Sequence, residues 1–152
     1  MLRFLLLLAS LCLLVAPTSR AQGPTTLPPV VTKGLAIFQS QGADAGVKAL
    51  TPNWSGAEDQ DKQQQLIDAL KKVQEYAGAL AGYDLLRLHS ITPHLSRAYV
   101  VLLFERQPAF LVLTLYTAPG RDVAVMTFNF HTDPTKVFPP ALIEPGSAPS
   151  AP

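Results

Sequence analysis

The spacing of apolar residues changes twice along the chain and divides it into three stretches. From Phe4 to Ala16 they form a nearly unbroken run. From Val31 to Leu80 they recur every three or four positions, the period of a helix with one buried side. From Tyr83 to Thr132 they gather into short β-branched and aromatic runs divided by breakers, the signature of strands.

Within the second stretch, Leu35, Ile37 and Phe38 suit a short helix over Val31 to Gln41, with Gly42 as its stop. A second short helix is predicted over Ala43 to Leu50, after which Thr51-Pro52-Asn53 breaks the chain. Ser55 followed by Glu58 has the spacing of a capping box, in which hydroxyl and carboxylate satisfy free backbone donors, so a longer helix should start there. Leu66, Leu70, Val73, Ala77 and Leu80 form its apolar stripe, opposite Asp61, Lys62, Gln64, Asp68, Lys71, Lys72 and Glu75. Gly78 and Gly82 weaken and end it.

Four strands follow, at Tyr83 to Ile91, Arg97 to Arg106, Ala109 to Thr117 and Asp122 to Thr132. Thr92-Pro93-His94, Gln107-Pro108 and Pro119-Gly120 separate them, and connections this short favour an antiparallel meander over crossovers. Helices first and strands after predict an α+β domain, its N-terminal helices packed on a four-stranded antiparallel β-meander with the long helix across the sheet.

Strand parity assigns side chains to faces. Leu111, Leu113 and Leu115 point one way, with Met126, Phe128 and Phe130, and with Leu86 and Leu88, as the surface for the helices. The opposite face carries Arg87 and His89, then Phe110, Val112, Thr114 and Tyr116, then Val125, Thr127, Asn129 and His131. Apolar residues with a few convergent polar groups suit a ligand pocket, and Arg87, Thr114, Tyr116, Asn129 and His131 are its candidate ligand-binding residues. The same face could instead pair two copies of the chain, or be half-covered by the chain's own helices. A one-residue slip of register would exchange the faces.

The apolar run at the start changes the picture of destination. Arg3 precedes it, and Ser19-Arg20-Ala21 offers a small-residue exit, so residues 1–21 read as a secretory signal peptide cleaved after Ala21. About thirteen apolar residues are too few for a membrane-crossing helix. Removing residues 1–21 from a chain of 152 leaves 131, one domain's worth. Residues 22–29 and 141–152, polar or rich in Pro, Ala and Ser, are expected as tails around a single domain over residues 30–140. The expected destination is the periplasm or the medium.

Charge and cysteine content narrow the function classes. The full chain has a net charge of +1, and without Arg3 and Arg20 ten basic residues face eleven acidic ones, a balance that points to neither nucleic acid nor an anionic membrane surface. The sole cysteine, Cys12, lies in the leader. The exported part then has no disulfide, thiolate nucleophile or Cys-ligated metal, and its stability must come from packing.

The order of elements, with Tyr99-Val100-Val101, Pro108-x-Phe110, Tyr116 and Phe128-x-Phe130-x-Thr132-Asp133 on the strands, resembles the cystatin-like and nuclear-transport-factor-2-like superfold over Val31 to Asp133. It also resembles small exported bacterial proteins of unassigned function. The resemblance implies a curved meander holding a helix, and it spans isomerases, binding modules and inhibitors, so it bears on fold more than on function. The Gln-x-Val-x-Gly hairpin of the cystatins is missing, which disfavours protease inhibition.

Chemistry-bearing residues are sparse. His89, His94, His131 and Asp133 are of ligand type, but no short motif such as His-x-x-x-His joins them, and no metal or cofactor is expected. A pocket enzyme of isomerase or hydrolase type would use Asp84 or Glu105 with His89 or His131, since such chemistry needs a carboxylate poised beside an acid–base partner. Neither a Gly-x-Ser-x-Gly elbow nor a phosphate loop is present. Asn53-Trp54-Ser55 is formally a glycosylation acceptor, with Trp54 expected to pack at the start of the long helix. The leading expectation is a small exported, non-enzymatic binding protein, acting on itself as a homodimer or on an unknown ligand or protein; the pocket enzyme is the second.

Overall fold

The computed structural model describes residues 26–144. The expected signal peptide and the outer parts of both expected tails lie outside these residues. Three helices come first, α1 (Pro29–Gln41), α2 (Ala43–Leu50) and α3 (Ala57–Ala77). The strands β1 (Leu80–Thr92), β2 (Leu95–Phe104), β3 (Pro108–Thr117) and β4 (Val123–His131) then form one antiparallel sheet in the order β1-β2-β3-β4. This is the expected α+β architecture, with helices on one face of an open meander.

Pro29 opens α1, where a missing N–H costs nothing because the first turn has no acceptor for it. The helix buries Val31, Leu35 and Phe38. It turns at Gly42 into α2, and the two helices approach closely: a Cβ on Gly34 would stand 2.5 Å from Cγ of Leu50, and one on Gly46 would overlap Phe38. Only glycine admits that contact. Of the helices, α1 comes nearest the sheet backbone, meeting the two edge strands. The Phe38 ring packs edge-on against Phe104 at 6.0 Å, and Gln39 Nε2 donates to the Ala81 carbonyl. α3 contributes Ile67, Leu70, Val73 and Ala77 to the same core.

Several sequence-based expectations need correction. Ser55 does not cap α3: the cap position is Gly56 with no side-chain bond, and Glu58 instead accepts from Lys62 Nζ at 2.7 Å, one turn on. Glu58 and Asp59 stand in the first turn, where the helix dipole favours negative charge without a capping box. The buried stripe is Ile67, Leu70, Val73 and Ala77, with Leu66 at its margin. Leu80 has left the helix, which ends at Gly78, and it begins β1. Leu27 is buried in the main core and Leu142 and Ile143 pack on a second cluster, so the packed chain extends past the 30–140 span on both sides.

The faces of the sheet also differ from simple alternation. Between Thr114 and Leu115 the β3–β4 register slips, so that Thr114 faces Thr127 while Leu115 faces Val125. Met126 is the extra residue of a bulge and is 54% exposed, whereas Val125 turns to the helices and is 2% exposed. A second irregularity between Leu85 and Arg87 does the same on β1: Leu86 is exposed and Leu85 packs on the core. A bulge adds one residue to one strand only, and parity inverts beyond it.

Candidate functional site

With register known, the second face resolves into rows across the four strands. One row is Asp84, Val101, Phe110, His131; the next is Arg87, Tyr99, Val112, Asn129; the third is His89, Arg97, Thr114, Thr127. Thr92, Leu95, Tyr116 and Ala124 follow.

The chain itself covers the middle of this face. After β4, Asp133 opens a short 3-10 turn (Pro134–Lys136), its carboxylate accepting from the Thr135 N–H at 2.9 Å and the Thr135 hydroxyl at 2.7 Å. Those bonds, helped by nearby Lys136 and His131, hold its pKa below the usual carboxylate value. The turn sends the chain back over the sheet, where Phe138 is buried edge-on against Tyr99 at 5.7 Å and Phe110 at 5.4 Å. Val112 completes this second core, with Val137, Leu142 and Ile143 around it.

Between the returning segment and β4 a groove of about 570 Å³ stays open. Arg97, Thr114, Thr127, Asn129, His131 and Lys136 supply its polar lining, and Val112 and Val137 its apolar wall. The Thr127 hydroxyl donates to that of Thr114 at 2.7 Å. Nδ1 of His131 accepts the backbone N–H of Asp133 at 2.8 Å, so the neutral ring carries its proton on Nε2.

Of the five residues expected to bind ligand, Thr114, Asn129 and His131 meet in this groove. Arg87 shares a row with Asn129, but Tyr99 and Val112, which pack with Phe138, stand between them. Tyr116 lines a separate open hollow of about 880 Å³ with Pro93, His94 and Arg121. Arg97, Lys136 and Val137 were missed. The alternation of Arg97 and Tyr99 against buried Ala98 and Val100 was a usable signal for the first; nothing local announces that residues 136–138 fold back.

The acid–base candidates do not converge. Asp84 and His131 stand at opposite ends of one row, three strand spacings or about 14 Å apart. Asp84 and His89 lie opposite Val101 and Arg97, four residues apart on β2, so about 13 Å separates them at the usual rise per residue. Glu105 lies in the β2–β3 turn over Gly78, and its backbone N–H donates to the Ala79 carbonyl at 3.1 Å. His94, in the β1–β2 turn, is tied through Nδ1 to the Thr117 carbonyl at 3.0 Å.

Among the described residues no three His, Cys, Asp or Glu side chains lie together as a metal site. Among the same residues no helix is long and apolar enough to cross a membrane. No family model, curated protein or solved structure matches the chain.

Proposed function

We propose that the protein is a small exported, non-enzymatic binding protein of cystatin-like or nuclear-transport-factor-2-like type, which takes a small ligand in the groove beside β4. One observation carries the reading: the returning segment closes the middle of the second sheet face and leaves a groove of about 570 Å³ whose walls combine valines with placed polar groups. That volume falls in the range of small-molecule sites, and the mixture of apolar wall and few polar groups is what such sites use. The separation of Asp84 from both histidines, and the absence of Glu105 from the groove lining, support binding over acid–base chemistry.

Backbone-amide NMR of the purified protein, titrated with a panel of small molecules, tests the groove. Shifts concentrated at Thr114, Thr127, Asn129 and His131 are expected; a panel that shifts only residues elsewhere would overturn the reading. Export is tested separately, by fractionating cells that express the full chain and sequencing the N-terminus of the product. The expected product begins at Gln22 outside the cytoplasm, and an uncleaved cytoplasmic chain would refute that part.

A further inference from the structure

The hydrogen-bonding groups of the groove are unbalanced, and the imbalance selects a ligand class. Arg97 and Lys136 can only donate. Neither takes part in an ion pair among the described residues, where the salt bridges are Lys48–Asp44 and Lys62–Glu58. Arg97 faces His89 on one neighbouring strand and Thr114 on the other, so no carboxylate stands opposite it in the sheet. His131, its Nδ1 occupied by the Asp133 N–H, has only the Nε2 proton left to offer. The Thr114 and Thr127 hydroxyls bond each other at 2.7 Å, and the pair keeps one hydroxyl proton for a ligand.

The acceptors of the lining side chains are uncharged, the Asn129 amide oxygen and the threonine hydroxyls, and face the two cations Arg97 and Lys136. No Asp or Glu lines the groove; Asp133, close to Lys136, lies outside the lining and accepts both the N–H and the hydroxyl of Thr135 on Oδ1. A ligand matched to this lining must bring acceptors, and an oxyanion brings several at once, paired by charge with Arg97 and Lys136. The groove is also far larger than a bare inorganic ion requires, and Val112 and Val137 offer an apolar surface to a carbon body.

We infer that the groove binds organic oxyanions, a carboxylate or phosphate ester on a small apolar body, with Arg97 and Lys136 as the anion-holding residues. The inference rests on the groove being the binding site.

Three probes share one ring and differ in the head group: benzoate, phenyl phosphate and uncharged benzamide. In amide-shift titrations, benzoate or phenyl phosphate should move Thr114, Thr127 and Asn129, and benzamide should bind at least tenfold more weakly. The tighter of the two anions identifies the head group. Arg97→Ala and Lys136→Ala should each weaken anion binding about tenfold, about 1.4 kcal/mol. Both side chains are exposed, and the unchanged remainder of each spectrum reports that the fold is kept. Benzamide binding in the groove as well as the anions do would overturn the anion inference and leave the binding site standing. Anion binding indifferent to both substitutions would also overturn it. No shift in the groove with any of the three would count against the inference and the groove together.

Discussion

The indole Nε1–H of Trp54 donates to the carbonyl oxygen of Val125 at 2.9 Å, tying the segment before α3 to edge strand β4 one residue short of its bulge. The bond satisfies an outward carbonyl on an edge strand and places a large ring beside the turn of the strand. Trp54→Phe keeps most of the ring's packing and removes the donor. It should cost about 1 kcal/mol, read as a lower urea midpoint at unchanged slope. A midpoint equal to that of the unsubstituted protein would show that water replaces the bond at no cost.

The bulge makes neighbouring positions on β4 opposite in tolerance. Met126→Lys, at an exposed position, should change stability by less than about 0.5 kcal/mol. Val125→Lys places an unpaired charge against Leu115 on the helix side and should cost on the order of 4 kcal/mol or prevent folding. Thermal unfolding of the pair decides the register: the reverse order of effects would mean that the strand runs without a bulge.

The α1–α2 crossing depends on the missing side chain at position 34, where a Cβ would lie 3.1 Å from the Leu50 backbone nitrogen as well as against the Leu50 side chain. Gly34→Ala gains helix propensity but forces the helices apart, and the overpacking cost of about 1–3 kcal/mol should win. Denaturation should show a net loss, and a stabilised variant would mean that Leu50 has room to move.

Phe138 holds the returning segment to the sheet. Phe138→Ala would lose about 3–5 kcal/mol at a site obliged to stay folded, but here the loss is bounded by the segment's own stability, because it can lift away alone. Trypsin should therefore cut after Lys136 at least tenfold faster, while the main thermal transition moves by less than about 4 °C. Slow cleavage would mean that the segment is held by Leu142 and Ile143 instead.

Asp133 introduces a pH dependence of known sign. Its folded pKa lies below the ordinary aspartate value of 3.8, chiefly through the Thr135 hydroxyl and N–H. The stabilisation of the turn is thus fully present above that value and is lost as pH falls through the lower, folded pKa. The Thr135 amide resonance should titrate with a midpoint below 3.8, and Asp133→Asn should abolish the titration. A midpoint at or above 3.8 would show that the turn does not bond the carboxylate in solution.

Much of this fold was legible from local patterns because local physics produces it. Alternation and breakers located four strands, the period near 3.6 located the helices, and Pro119-Gly120 marked the turn in which Gly120 has φ 70° and Arg121 N–H donates to the Ala118 carbonyl at 3.0 Å. The misassignments arose where one residue changes the count. Parity carried from Phe130 back to Met126 puts methionine on the core, and only the pairing of Leu115 with Val125 reveals that the count slips. For Ser55 and Glu58 the spacing of a capping box was present, but the helix began at Ala57 and Glu58 met Lys62.

The candidate site was half legible for the same reason. Thr114, Asn129 and His131 follow from alternation within β3 and β4, since side chains two apart must share a face. Their union with Arg97 needed the β2–β3 register, and the groove itself exists because Phe138 docks on Tyr99 and Phe110, more than twenty residues away in sequence. The sequence by itself determined the order of helices and strands and the alternation within each run, because propensity and periodicity act between neighbours. The tertiary structure alone decided where parity inverts, which carboxylates and histidines stay apart, and which part of the open face the chain covers, because these depend on pairings between residues distant along the chain.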